Sequence, residues 1–189
     1  MPAGPFAAAS GLVLAAGAGR RYGGPKALAR TPAGAPWLVL AIRALVEGGC
    51  RDVTVALGAA ADEAASLVPD GTAIVRVEDW ASGLAASLRA GLAALASGPS
   101  PAAVVLPVDT PDVPAAAIAR IARRAHPDAL SQATYRGVPG HPVLLGRAHW
   151  EPLSATVRGD TGARPYLIAQ GADFVECGDL WSGADRDTP

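Results

Sequence analysis

"LVLAAGAGRRYGGPKAL", residues 12–28, opens as an apolar run and breaks into glycine and arginine before it reaches a lysine. The apolar part, GLVLAA over 11–16, reads as a buried strand that runs into a glycine-rich loop. Lys26 is the only lysine in the chain; the other fifteen of its sixteen basic residues are arginine. An ammonium is a compact charge on a flexible stem, whereas a guanidinium is a rigid planar fork. One ammonium among fifteen guanidiniums, next to a glycine loop, points to an anionic ligand.

The loop itself supports that reading. Small residues at Ala15, Ala16, Gly17, Ala18 and Gly19 let backbone N–H groups approach a ligand closely, and Arg20, Arg21 and Lys26 add positive charge. Neither of two familiar phosphate motifs fits. A Walker loop needs Gly-Lys followed by Ser or Thr, but Pro25 precedes Lys26 and Ala27 follows it. In a dinucleotide fingerprint the third glycine would fall on Tyr22, and no acidic residue stands about 20 positions later. The loop is a phosphate-binding candidate of another kind.

Outward from this loop, strand-like and helix-like segments alternate. A helix is expected over 36–48, opened by Pro36 and closed by Gly48 and Gly49. Strands are expected at 52–58 and 72–77, with a short helix over 60–67 between them. Ser82 is the expected cap of a helix carrying Leu84, Leu88, Leu92 and Leu95 in one stripe. AAVVLPVD (102–109) reads as a buried strand and Pro114 as the start of the next helix. ALSQATY and HPVLL, joined by RGVPG, suggest a hairpin; a helix near 162–170 and a strand at 173–177 complete the series. The alternation predicts an α/β fold: a single domain over 1–189, a three-layer sandwich with a mostly parallel sheet, helices on both faces and a β-hairpin insertion. Ligands of such sheets bind outside the carboxyl ends of the strands, which is where both the first loop and Asp109 fall.

Composition narrows the function classes. The chain has 189 residues, 50% hydrophobic and 17% charged, which describes a packed globular protein. A net charge of −1 and the lack of a basic stripe with interleaved aromatics argue against nucleic acid as a partner. Residues 5–18 are nearly uncharged, but no basic residue precedes them, and the run is shorter than the roughly 20 residues of a membrane span. They read as a tail followed by the first strand, with no membrane partner. Cys50 and Cys177 form no CxxC pair, so neither a zinc site nor a disulfide framework is indicated, and a cytoplasmic setting is expected.

Asp109 directly follows an apolar strand, where a charge is costly unless it is solvated or paired. Mg²⁺ typically takes one or two carboxylates together with phosphate oxygens, so Asp109 is a candidate ligand. The alternative makes Asp109 or Asp112 a cap for the helix beginning near Pro114, a role that suits Asp112 better. A second carboxylate is available from DRDTP (185–189), which in isolation reads as a frayed polar tail. His126, His141 and His149 have no mutual metal-ligand spacing; His141 fits a turn or a ligand contact equally well. No Gly-x-Ser-x-Gly elbow is present to support a serine triad.

LAAGAGRRYGGPKAL resembles the signature loop of the MobA-like nucleotidyltransferases, approximately LAxGxGxRxGxxK. DWASGLAASLRAGL (79–92) resembles the W-x-x-G-x-x-x-S-L-x-x-G segment of that group, and PVDTPDV (107–113) resembles its metal-binding aspartate motif. GHPVLL with GDTGARPYL (159–167), and the closing DRDTP, follow in the expected order. The resemblance implies the nucleotide-diphospho-sugar transferase-like variant of the Rossmann fold. It also implies transfer of a nucleoside monophosphate from CTP or GTP to a small phosphorylated acceptor such as molybdopterin, with Mg²⁺ and release of pyrophosphate. Ala16 and Pro25 look more like the cytidylyl than the guanylyl branch, which favours CMP. By the same resemblance Gly17, Gly19, Arg20 and Lys26 hold the phosphates, and Leu14, Ala15 and Ala16 line the base. Asp109 binds the metal with Asp187 as its distal partner, and Lys26, Arg20 and Asp109 carry the catalysis. One position departs from the pattern: relatives carry asparagine three residues before the tryptophan, where this chain has Val77. The group also contains proteins named nicotine blue oxidoreductase, whose late motifs look closest to these. NAD(P)H-dependent reduction is therefore the alternative function, followed by nucleotide binding without turnover.

Overall fold

A computed structural model describes residues 9–187; the tail expected ahead of the first strand falls mostly outside them, as do the last two residues of DRDTP. Among the described residues seven strands form one sheet: β1 (Ser10–Ala15), β2 (Val53–Leu57), β3 (Ala73–Arg76), β4 (Ala102–Pro107), β5 (Leu130–Tyr135), β6 (Val138–Gly146) and β7 (Asp173–Glu176). Their spatial order is β3-β2-β1-β4-β6-β5-β7. β1 pairs in parallel with β2 on one side and β4 on the other, whereas β6 runs antiparallel between β4 and β5. The hairpin expected from the sequence supplies that single reversed strand.

Six helices cover the sheet: α1 (Trp37–Glu47), α2 (Ala61–Ala65), α3 (Leu84–Ala96), α4 (Ala115–Ala122), α5 (Trp150–Thr156) and α6 (Arg164–Ala169). Because side chains alternate along a strand, neighbours in β1 enter opposite layers. Val13 joins Trp37, Leu38 and Leu45 of α1 with Ile118 and Ile121 of α4. Leu12 joins Leu88 and Leu92 of α3, Trp150 and Leu153 of α5 and Leu167 of α6. Two apolar layers back to back explain why β1, β2 and β4 are nearly continuous hydrophobic runs with no polar face. Each fully buried Leu or Ile side chain contributes about 1.5–3 kcal/mol to holding the layers together. Among the described residues no helix is long and apolar enough to cross a membrane.

Four local expectations change. Gly83, not Ser82, occupies the cap position of α3, and the Ala85 N–H at its start donates to the Gly159 carbonyl at 2.9 Å. Gly83 has φ +111°, and a Cβ there would collide with the Gly159 backbone, so only glycine lets this helix end meet that loop. The hairpin turn is shorter than RGVPG, because β6 already begins at Val138. α5 was not foreseen: seven residues with two buried apolar side chains, Trp150 and Leu153, carry too little periodicity to read. Beyond β7 the chain does not fray but returns across the carboxyl ends of the strands, its Arg186 N–H donating to the Asp109 carbonyl at 2.8 Å.

β1 is the point where the order of connection reverses. The chain steps outward from β1 to β2 and β3, then crosses back through α3 to place β4 on the other flank of β1. In parallel sheets a crevice opens at such a switch point, outside the carboxyl ends. The loops after β1 and β4 form its two sides.

Candidate active site

A cleft of about 450 Å³ occupies that switch point. Its floor and one wall are the end of β1, at Leu14 and Ala15, and the segment that follows it, from Ala16, Gly17 and Gly19 to Arg20 and Lys26. Asp109, two residues beyond β4, and Asp187, from the returning C-terminal segment, close the adjoining side. The residues that the resemblance assigns to nucleotide, metal and catalysis (Leu14, Ala15, Ala16, Gly17, Gly19, Arg20, Lys26, Asp109 and Asp187) therefore meet in one cavity.

Local geometry explains the loop. The Gly19 carbonyl accepts from the N–H groups of Tyr22, Gly23 and Gly24 at 2.9, 3.0 and 3.1 Å, curling the chain tightly. Gly19 itself sits at φ +59°, and a Cβ on it would run into the Gly24 carbonyl. Curling the following residues onto one carbonyl leaves the N–H groups of Ala18, Gly19, Arg20 and Arg21 without an acceptor among the described residues. They stand at the cleft, where they can serve phosphate oxygens. The start of α3 joins the same cavity at Gly83 and Leu84, adding the positive end of a helix dipole.

Lys26 is the centre of the charge arrangement. Its ammonium donates to Asp109 Oδ2 at 2.9 Å and to Asp187 Oδ1 at 2.7 Å. The lysine side chain is 14% exposed, against 22% for Asp109 and 49% for Asp187. Desolvation works against the ammonium, but its bonds to Asp187 and Asp109 outweigh that penalty and hold its pKa above the ordinary lysine value. The same bond to Lys26, with its charge, holds Asp187 below the ordinary carboxylate range. An ammonium has three donors, and two are engaged here, so the third is free for a ligand oxygen.

Two carboxylates converging beside a glycine-rich loop with free N–H groups suit a divalent cation of the hard, oxygen-seeking kind. Among the described residues no cluster of three or more His, Cys, Asp or Glu side chains forms a ready cage. The donor set thus fits a metal that completes its shell with substrate phosphate and water, as Mg²⁺ does.

Several cleft residues carried no assigned role in the sequence, although their segments had been noted. Trp80 and Ser87 come from DWASGLAASLRAGL and Asp160 from GDTGARPYL. Ser87 is buried to 4% exposure, yet its hydroxyl has no partner among the described residues and borders the cleft near Leu14 and Ala16. Val77 explains the one departure from the expected pattern. It is buried against Ala16, Ala56 and Ala86, supporting the loop from beneath, and is not part of the cleft wall. Asp112 does not cap α4; its carboxylate accepts from the Arg186 guanidinium. His141 lies on β6, where burial pushes its pKa down against the opposing charges of Asp109 and Asp185, so it is neutral near pH 7.

Comparisons with known proteins agree with this fold. The family model described as the MobA-like NTP transferase domain covers residues 11–174. The nicotine blue oxidoreductase of Paenarthrobacter nicotinovorans is 36% identical over 193 residues, spanning 95% of this chain and 92% of that protein. The crystal structure of Rv0371c from Mycobacterium tuberculosis superposes with a TM-score of 0.82 at 26% identity, covering 97% of this chain and 95% of the other. A complex of that protein with manganese superposes with a TM-score of 0.72 at 26% identity, over 90% and 87% of the two chains.

Proposed function

Since the chain belongs to the MobA-like NTP transferase family and is a nucleotidyltransferase, we propose that it moves a nucleoside monophosphate, CMP in preference to GMP, from the triphosphate to a small phosphorylated acceptor such as molybdopterin. The observation that carries this reading is the meeting of Lys26, Asp109 and Asp187 at a cleft walled by the glycine loop. In the reaction an oxygen of the acceptor phosphate forms a bond to the α-phosphorus, and the bond from that phosphorus to the bridging oxygen breaks, releasing pyrophosphate. The attacking phosphate is already mostly ionised near neutral pH, so no side chain has to remove a proton. This accounts for a catalytic cleft whose candidate residues include no general base.

Each residue then has a task. The free N–H groups of the loop and the guanidinium of Arg20 hold the phosphates, with Gly17 leaving their approach open. Lys26 directs its third N–H at the phosphoryl group as charge develops on it. Leu14, Ala15 and Ala16 line the base, with Ser87 beside them. Asp109 and Asp187 would hold the divalent cation, Mg²⁺, which when bound neutralises phosphate charge and fixes the triphosphate for in-line displacement. A solved complex of the mycobacterial relative with manganese supports the divalent-cation part of this reading. A cytoplasmic setting belongs to the same proposal and is supported by two buried cysteines that stand free.

The 36% identical relative named nicotine blue oxidoreductase favours a second reading, NAD(P)H-dependent reduction. A nucleotide-binding protein without turnover is the third. A binding screen of CTP, GTP, ATP and NADPH with Mg²⁺, followed by assay of pyrophosphate release with a phosphorylated pterin, separates the three. Preference for NADPH and oxidation of it by a dye would replace the transferase reading with the second. Triphosphate binding with no pyrophosphate release from any acceptor would leave the third.

A further inference from the structure

Asp187 reaches the cleft on a segment that has no regular secondary structure after β7. Its attachments can be followed in order, and they include the Asp179 carboxylate, which accepts from the Arg120 guanidinium of α4 at 2.6 and 2.8 Å. The Cys177 N–H donates to the Thr134 carbonyl at 2.8 Å as the segment leaves the sheet. The Trp181 ring meets Tyr135 edge-on, with centroids 5.3 Å apart, and the same Tyr135 ring leaves no room for a side chain at Gly183. The last fastening before Asp187 is Arg186. Its backbone N–H donates to the Asp109 carbonyl at 2.8 Å, and its guanidinium meets one oxygen of Asp112, Nε at 2.8 Å and Nη2 at 2.6 Å.

We propose that Arg186 and Asp112 form a clasp that sets the spacing of the two carboxylates Asp109 and Asp187 for the divalent cation, making both of them positioning residues for nucleotidyl transfer. Neither side chain lines the cleft, so neither touches the reacting groups. The clasp joins the residue next to Asp187 to a residue three beyond Asp109. It thereby ties the segment bearing one cation ligand to the loop bearing the other. Arg186 and Asp112 are 41% and 48% exposed, and exposed ion pairs contribute little to global stability. What the pair fixes is local: the distance between two like-charged carboxylates that converge on one cation. Partners that orient metal ligands from outside the coordination shell typically alter metal affinity by about 10- to 100-fold.

The inference rests on the reading that Asp109 and Asp187 hold a cation, and the test separates the two. Mn²⁺ binding to the full chain is measured by electron paramagnetic resonance, with α,β-methylene CTP or GTP present. Four variants are compared with the natural protein: Arg186→Ala, Asp112→Ala, their double substitution and Asp187→Asn. The expected result is a rise of about 10-fold in the Mn²⁺ dissociation constant for Arg186→Ala and Asp112→Ala. The double variant is no worse than either single one, melting temperatures are nearly unchanged, and turnover returns at high metal concentration. Asp187→Asn should bind Mn²⁺ more weakly still. Loss of Mn²⁺ in Asp187→Asn alone, or additive effects in the double variant, would overturn the clasp and leave the cation site standing. Unchanged binding in Asp187→Asn would remove the cation site and the clasp together.

Discussion

Lys26 and Asp109 lie 83 positions apart in the chain and are joined by a 2.9 Å hydrogen bond from ammonium to carboxylate. They meet because β1 and β4 are parallel neighbours whose carboxyl ends are level: Leu14 pairs with Pro107, and the Val108 N–H donates to the Leu14 carbonyl. The two loops that leave these strands therefore start side by side. A third partner, Asp187, comes from the far end of the chain to the same ammonium.

Replacement of Lys26 by alanine should lower kcat for pyrophosphate release by about 10²- to 10³-fold, the usual cost of removing one donor aimed at developing charge. The melting temperature should move by only a few degrees, since a partly exposed ion pair contributes modestly to stability. Lys26→Arg should recover little, because a planar fork does not reproduce the two contacts of a point charge. Parallel kinetics and thermal melts of the three proteins check this.

Gly19→Ala forces a side chain at φ +59° against the Gly24 carbonyl. The expected loss is about 1–3 kcal/mol of stability from backbone strain, together with nucleotide binding, because the uncurled loop no longer presents its N–H groups. Calorimetric titration with CTP and GTP gives the second readout. A variant that binds as the natural protein does would show that the loop is not the phosphate cradle.

Ser87→Ala removes a hydroxyl, unpartnered among the described residues, from the residue that lines the cleft together with Leu14 and Ala16. One hydrogen bond to a base is worth about 0.5–1.5 kcal/mol. The ratio of kcat/KM between CTP and GTP should accordingly shift about 2- to 10-fold, with the fold unaffected.

Glu176 tests pH dependence away from the cleft. Its carboxylate accepts from the N–H groups of Arg136, Gly137 and Gly178 and from the Thr134 hydroxyl, pinning the β5–β6 turn to β7. The Arg136 N–H, the Thr134 hydroxyl and the Gly178 N–H are the main reasons its pKa is held down at about 2, against an ordinary 4.5. A depressed carboxylate stabilises the fold above its unfolded pKa and loses that contribution as pH falls through the folded one. The melting temperature of Glu176→Gln should therefore lie below that of the natural protein at pH 7. The gap should stay constant down to about pH 4.5 and close towards pH 2. A gap that widens on acidification would contradict the network.

Chelation supplies a last measurement. Exhaustive treatment with EDTA should abolish pyrophosphate release and restore it on addition of Mg²⁺ or Mn²⁺, with the secondary structure unchanged by circular dichroism. The layers are closed by apolar side chains and owe nothing to the cation.

The amino-acid sequence alone determined what local chemistry can encode. β1, β2 and β4 were legible because buried parallel strands are unbroken apolar runs, α1 because Pro36 opens it and Gly48 and Gly49 close it, and α3 because its leucines repeat at helical spacing. The glycine loop and the single lysine pointed, within a dozen residues, to the stretch that forms one wall of the cleft. Tertiary structure alone decided what depends on distant segments meeting. α5 is too short to leave a periodic signal. The cap of α3 is a carbonyl from Gly159, so no capping side chain appears beside it. Asp112 looks like a helix cap until Arg186 is seen to take its carboxylate. Asp187 sits in a stretch whose composition suggests a frayed end, and it is ordered by partners far off in sequence, among them Tyr135, Asp109, Asp112 and Lys26. A side chain's own neighbours in the chain determine its backbone preference; its charge partner is set by where the sheet delivers the other loops.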